Sequence, residues 1–541
     1  MKLYKLSFIA IAGLTTLVSC NDIDEMEPAS SYLTEDQVRQ SKELIPGRAE
    51  ASFSSMFNMM GLPNGVFNRA SYRADDFGFI MSAISCDAEG PDYLYDDSGY
   101  NWFSVCGEYS SRNANYANPY IRYATPYNQI KMANDIIREN KEATDSVGKN
   151  MLAQAHAIRA FDYLSLIQYF QFNYQIAKDK PGVPIVTDET PDDQLTDNPR
   201  ASVEEVYKLI LDDLNFAIAN LDNKRSNKTR VNQQVAYGLR ARVNLIMGKW
   251  ADAAADADKA MEGYTPAEIT GPAFVSIEEP NWIWGIEITQ NIAMIGSYAT
   301  CGSWLSSFSA DSYTAGAGCY AMINTLLWNK IPETDVRKGC WVNEDLHSPL
   351  LANESWGSAQ GDAIATLEID DVKMAFTPYT NVKFGMKDGI GSSNNINDYP
   401  LMRVEEMILI KAEGLAKSGQ EAQARTILEN FVKTYRDPAY SSTAGGRTLA
   451  DEIWYQRRVE LWGEGFAMSD IMRLQKPLVR FHDDKCNQPT AFRFNMPADD
   501  AWLLMRFCDS ETNTNAGIID NSGSQQPEQD QYPNLRDGVT D

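Results

Sequence analysis

Apolar residues recur at three- and four-residue steps over much of this chain, and that period commits it to packed helices. Tyr127, Ile130, Ala133 and Ile137 form one stripe, and Ala153, Ala157, Ala160, Leu164 and Ile167 form a second. A third runs through Val206, Ile210, Leu214, Ala217 and Leu221. It opens at Ser202, where the hydroxyl can accept from the Glu205 amide while the Glu205 carboxylate accepts from the Ser202 amide, a capping box that sets the helix start. Ala236, Leu239, Val243 and Ile246 make a fourth stripe, Gly248 breaks it, and a further helix runs from Trp250 through Ala254 and Ala257 to Met261. Near the C-terminal end the design recurs. Leu401, Val404, Ile408, Ala412 and Leu415 line one helical face, Gly419 ends it in a left-handed turn, and Ala424, Leu428, Phe431 and Tyr435 follow. Charged residues are expected to flank the apolar face of that helix.

Helix, glycine turn, helix, with alanines at close-packing positions, resembles tetratricopeptide units, which bury their apolar faces only by stacking. Two stretches carry a more specific resemblance: YPLMRVEEMILIKAEGLAKSG, from Tyr399, and QRRVELWGEGFAMSDIMRL, from Gln456. In the second, Arg457, Glu460 and Glu464 recur at helical spacing, and Asp470 and Arg473 follow one turn apart, a set able to form a dense ion-pair network. In order and spacing the two stretches resemble the signature of the SusD/RagB family of outer-membrane nutrient-binding lipoproteins. Helical segments from Tyr120 onward are similar to the N-terminal half of such proteins. Ala467 and Met468 depart from the pattern, standing where the family often has an arginine and an aromatic residue.

The N-terminus reads as an address. Lys2 and Lys5 precede an apolar run from Leu6 to Val18, too short to cross a hydrocarbon core of ~30 Å as a helix, and Leu17-Val18-Ser19-Cys20 suits cleavage and lipid attachment at Cys20. Residues 1–19 are therefore expected to be a lipoprotein signal peptide and residues 20–30 an acidic tether. The remainder, 31–541, is expected to be one SusD-like domain, with a helical scaffold over 31–262 and 399–476 and a loop-rich, ligand-binding part over 263–398. A net charge of −26 disfavours nucleic acid, whose phosphates most of the surface would repel. Besides Cys20 there are seven cysteines, and no spacing identifies a disulfide.

Signatures of catalysis are absent from the sequence. His156, His347 and His482 are far apart, and no HExxH, CxxC or GxSxG pattern occurs. Gly385, Gly389 and Gly391 form no phosphate loop. Asp75-Asp76, Asp96-Asp97 and Glu278-Glu279 could each supply half of a glycosidase pair, but in so acidic a chain such pairs are expected as solvated surface. A structural calcium ion is conceivable at these clusters, although no DxDxDG loop is present, and no cofactor is expected. Aromatic residues outside the helical stripes are the better signal. WIWGIEI (282–288) reads as a strand with Trp282, Trp284, Ile286 and Ile288 on one face, whereas loops near 73–102 and 290–356 hold many isolated rings. An aromatic face can cover the C–H face of a sugar ring while polar neighbours bond its hydroxyls. The stacking candidates are Tyr95, Trp102, Trp304 and Tyr313, with Arg73 and Asp76 as hydroxyl partners.

The predicted fold is thus mainly α: a scaffold of tetratricopeptide-like hairpins, with long aromatic-rich loops and a few short strands. The family resemblance implies a non-catalytic protein on the outer membrane, held by lipid at Cys20 and facing the cell exterior. It would capture an oligosaccharide and deliver it to a SusC-like TonB-dependent transporter. A peptide-binding member of the same family and a surface glycoside hydrolase are the alternatives, ahead of a helical-repeat scaffold that binds no small ligand.

Overall fold

The computed structural model describes residues 47–541 except 64, 68–72, 97–100, 296–297, 369–372 and 483–485. Cys20, the signal segment 1–19 and the tether 20–30 lie outside the described residues. The chain divides into units 1–55 and 56–541, and everything below concerns the second. Its main helices are α1 (Phe79–Ala88), α2 (Ala117–Asn140), α3 (Ser146–Phe170), α4 (Val203–Asn220), α5 (Gln233–Met247), α6 (Trp250–Ala260), α7 (Val404–Lys417), α8 (Glu421–Tyr435), α9 (Leu449–Glu460) and α10 (Ala467–Leu474).

From α2 to α8 each helix packs on the next, so the expected hairpins stack into one array. The capping box at Ser202 and Glu205 is formed, and Gly419 takes the left-handed conformation with φ +83°. The stack ignores the long insertion between α6 and α7. Helix α7 lies against α6 as directly as if they were consecutive, and the fit depends on Gly414, where an added Cβ would stand 2.5 Å from the Trp250 carbonyl oxygen. Ala254, Leu409, Ala412, Leu415, Ala424, Leu428 and Phe431 fill the core that results.

The strands are few and short. β1 (Tyr93–Tyr95) pairs antiparallel with β3 (Ala321–Ile323), and β2 (Trp282–Ile286) pairs antiparallel with β4 (Tyr399–Arg403). Two expectations change here. Leu401 lies on β4 rather than on α7, which begins at Val404. Pro400 disfavours helix at the residue before it, and β2 supplies a partner whose pairing holds the segment extended. β2 itself ends at Ile286 and is buried on both faces, so the alternation of Trp282 and Trp284 with their neighbours does not mark a solvent side.

The charges of the two signature stretches do not flank an apolar face. They are buried, because α6, α8, α9 and the insertion surround α7 and leave it little solvent surface. Arg403 meets Glu464 and Glu405, each at 2.7 Å; Arg436 meets Glu460 at 2.8 Å; Arg337 meets Asp335 at 2.6 Å; Lys383 meets Glu464 at 2.8 Å. Four cations thus balance four carboxylates. Burial pushes the Glu460 carboxyl pKa up, but Arg436, Arg403 and Arg337 overcome it and hold it well below the usual range. Removing one partner leaves a buried charge uncompensated, so this cluster locks the insertion, β4 and α9 into one arrangement.

Candidate functional site

Where the loop regions 73–102 and 298–313 meet, a set of rings lies one on another from the core to the surface. The deepest member is Trp304, on the short helix Cys301–Leu305, whose start is capped by the Thr300 hydroxyl. It is fully buried, and its indole N–H donates to the Ala74 carbonyl at 3.1 Å, tying this helix to the turn at 73–76. Tyr313 stacks on it with ring centroids 4.3 Å apart and planes 6° from parallel. Tyr313 is half-buried, and Tyr298 meets it edge-on at 5.6 Å. Burial raises the pKa of the Tyr313 phenol, an effect offset in part by the Trp102 side chain beside it.

The outer layer is aromatic and cationic. The Arg73 guanidinium lies 5.1 Å from the ring centres of both Phe67 and Trp102, a cation–π sandwich. Phe67 is 41% exposed, while Trp102 and Tyr298 are each 37% exposed, so this is a platform of half-open rings rather than a closed pocket. Asp75 holds Arg73 at 2.7 Å. Burial raises the Asp75 pKa to about 6 against the pull of Arg73. On the far side the Tyr298 hydroxyl donates to the Asp311 carboxylate at 2.6 Å.

The six sequence candidates therefore divide by depth. Trp102, Tyr313 and Arg73 come together at the surface. Trp304 supports them from below. Tyr95 is buried, stacked on Phe103 and bonded through its hydroxyl to Tyr93 and the Trp304 carbonyl, so neither face of its ring is open to a ligand. Asp76 is also buried, and its carboxylate accepts from the amides of Val66 and Phe67 at 3.2 and 2.9 Å. It positions Phe67 rather than facing outward. Tyr95 is drawn inward by the β1–β3 pairing and Asp76 by the amides of Val66 and Phe67, neither of which any periodicity within residues 73–102 announces. Sequence reasoning missed Phe67, Tyr298 and Asp311. Each lies in or beside a loop already rich in rings, and neighbourhood is the only signal, since the contacts of Phe67 with Arg73 and of Tyr298 with Asp311 and Tyr313 form within loops that have no period.

Two larger cavities lie elsewhere. One of about 110 Å³ sits among α1, α3, α7 and α10. A groove of about 670 Å³ runs past Asp437, Gly445, Arg447 and Glu452, but its rings, Tyr440 and Tyr455, are buried edges of the core. Neither offers an exposed aromatic face, and for a ligand with sugar-like C–H faces the platform is the better surface. Among the described residues no group of three or more histidines, cysteines, aspartates or glutamates is arranged to hold a metal ion, and no helix is long and apolar enough to cross a membrane.

Two family models match the chain. One, described as starch-binding associating with outer membrane, covers residues 82–245, and the SusD family model covers 365–531; together they span more than half of the sequence. A SusD-like carbohydrate binding protein from Bacteroides vulgatus is similar in structure, with TM-score 0.70 and 22% identity over 88% of this chain and 98% of its own. A SusD superfamily protein from Bacteroides thetaiotaomicron matches with TM-score 0.67 and 20% identity, covering 88% and 99% of the two chains. A laminarin binding SusD-like protein matches with TM-score 0.62 and 18% identity over the same shares. At such identities these likenesses establish the fold. No curated protein matches the sequence.

Proposed function

The chain belongs to the SusD/RagB family, and on that premise we propose that it is a non-catalytic, lipid-anchored protein of the outer-membrane surface that captures neutral oligosaccharides for a SusC-like TonB-dependent transporter. The observation that carries the ligand class is the platform of Phe67, Trp102, Tyr298 and Tyr313, whose rings are held half-open by buried partners. If each ring covers about 50 Å² of sugar surface, then at ~25 cal/mol per Å² each contributes roughly 1 kcal/mol, so several acting together reach millimolar affinity, near −4 kcal/mol. The carbohydrate-binding relatives support the same reading.

Charge selects within glycans. Arg73 is already neutralised by Asp75, and Asp311 adds a negative charge at the rim, so a uronate or sulfate ester would meet repulsion rather than a free cation. The same pairing argues for binding without turnover: Asp75 is engaged by Arg73, Asp76 by two amides and Asp311 by the Tyr298 hydroxyl, where hydrolysis would need two carboxylates facing one ligand.

Titration of the protein lacking residues 1–20 against neutral oligosaccharides, uronic-acid oligosaccharides and peptides tests this reading. Binding to a neutral glycan, returned unchanged and weakened by Trp102→Ala, is the expected result. Peptide binding alone would replace the glycan assignment, and hydrolysis would overturn non-catalysis. Anchoring is tested separately: Cys20→Ala is expected to release the protein from membranes with its fold intact.

A further inference from the structure

The 110 Å³ cavity below the second signature stretch has walls of Phe79, Phe161 and Leu164, and a floor built from guanidinium groups. Arg112, Arg122, Arg242, Arg457 and Arg473 all line it. Their carboxylate partners are shared. Glu89 receives both Arg112 and Arg122, each at 2.8 Å, and Asp470 receives both Arg457 and Arg473, each at 2.8 Å. Glu406 pairs with Arg242 at 2.7 Å. Within the lining itself, five guanidinium groups face three carboxylates; just outside it, Glu413 meets Arg473 at 2.7 Å and Lys417 at 2.8 Å, and buried Asp87 accepts from the amides of Gly465 and Ala467. Arg480, adjacent to Glu89, bonds only to carbonyl oxygens such as those of Gly90 and Gly107, and adds a further buried positive charge.

Donors are also left over. Arg457 is 3% exposed and its Nη1 bonds to no acceptor; the Nε atoms of Arg112 and Arg122, 2% and 0% exposed, are likewise buried without one. A buried donor without an acceptor is costly, and an unbalanced buried charge more so. Water could satisfy the donors but would not neutralise the charge. An anion does both, and the planar fork of arginine matches the oxygens of a carboxylate, sulfate or phosphate. Gln168, Tyr169, Arg242, Phe466 and Ser469 are among the half-buried members of the lining and mark where it approaches the surface.

We propose that this cavity is a binding site for one small oxyanion, an inorganic sulfate or a short carboxylate, held by Arg457 together with Arg112 and Arg122. The site is distinct from the aromatic platform, and the anion would be a structural ligand of the scaffold.

The purified protein, in buffer whose ionic strength is kept constant with sodium chloride, which supplies no oxyanion, is titrated with sodium sulfate and separately with sodium acetate. Crystals are soaked in selenate, whose selenium reports its position by anomalous scattering. Saturable binding of one anion per chain is expected, with a rise in Tm over the same concentrations. For the sulfate arm an anomalous peak within hydrogen-bond reach of Arg457 Nη1 should appear; for the acetate arm, planar density at that place. Arg457→Gln should weaken binding by on the order of tenfold or more through loss of a charged bidentate donor. Should that variant fail to fold, Leu164→Trp, which fills the cavity and leaves every charge in place, should abolish binding. Water alone in the cavity with no saturable titration would overturn the proposal, as would selenate found at surface positions alone, an adventitious ion only.

Discussion

The platform and the buried ion network spend their arginines in opposite ways. At the platform, Arg73 lies between two half-open rings and is held by one carboxylate, so its environment is part solvent. In the network Arg403 is sealed from water and meets Glu405, Glu460 and Glu464 at once. The first arrangement can exchange partners with an arriving ligand at little cost. The second cannot, because losing any member strands a desolvated charge. Segments that resemble the family signature therefore maintain the fold, while the segments that face solvent with rings are those to which the proposed function assigns recognition.

Substitutions should separate the two regions, and the largest effect is expected in the network. Arg403→Ala should lower stability by roughly 3–5 kcal/mol, the cost of breaking a buried pair, and any loss of glycan binding should track unfolding in a denaturant titration. Trp304→Ala sits at the junction. Removing a fully buried indole should cost about 3–5 kcal/mol and also loosen Tyr313, so affinity of the remaining folded protein should fall as well. If stability drops while calorimetric affinity is unchanged, the platform does not depend on its support and the division by depth is wrong. Trp102→Ala is the reciprocal case. Loss of roughly 1 kcal/mol, about fivefold in Kd, should accompany an unaltered melting curve.

A pH-dependent difference should come from acid. Burial raises the Asp75 carboxyl from 3.8 to about 6, so the folded chain binds a proton there more readily than the unfolded one. Its contribution to stability is therefore fully present below about pH 4 and is lost as pH rises through about 6. Between these values protonation also frees Arg73 from its ion pair. Asp75→Asn should flatten this segment of the stability–pH profile and make glycan affinity independent of pH between 5 and 7. An unchanged profile in the variant would mean that other groups set it.

Much of the scaffold was legible because its information is local. The stripes at Ala153–Ile167 and Val206–Leu221, the capping box at Ser202 and the turn at Gly419 each depend on residues within a few positions of one another. The charges of the second signature stretch were legible as a network for the same reason. Their partners were not: Arg337 and Lys383 come from the insertion and carry no periodic mark. Tyr95 and Trp102 show where this limit falls at the candidate site. They are close in sequence, in one ring-rich loop, yet one is sealed under Phe103 and the other is open.

By itself, then, the sequence determined the helices, their hairpin order and the family, because helical period, caps and glycine turns are set by neighbours along the chain. Only the tertiary structure decided which rings became a surface, which carboxylates became counter-ions, and that α7 would resume the stack on α6 across the whole insertion. Burial depends on what arrives from elsewhere in the chain. Loop residues that meet only after the helices have stacked have no local period in which that depth could be written.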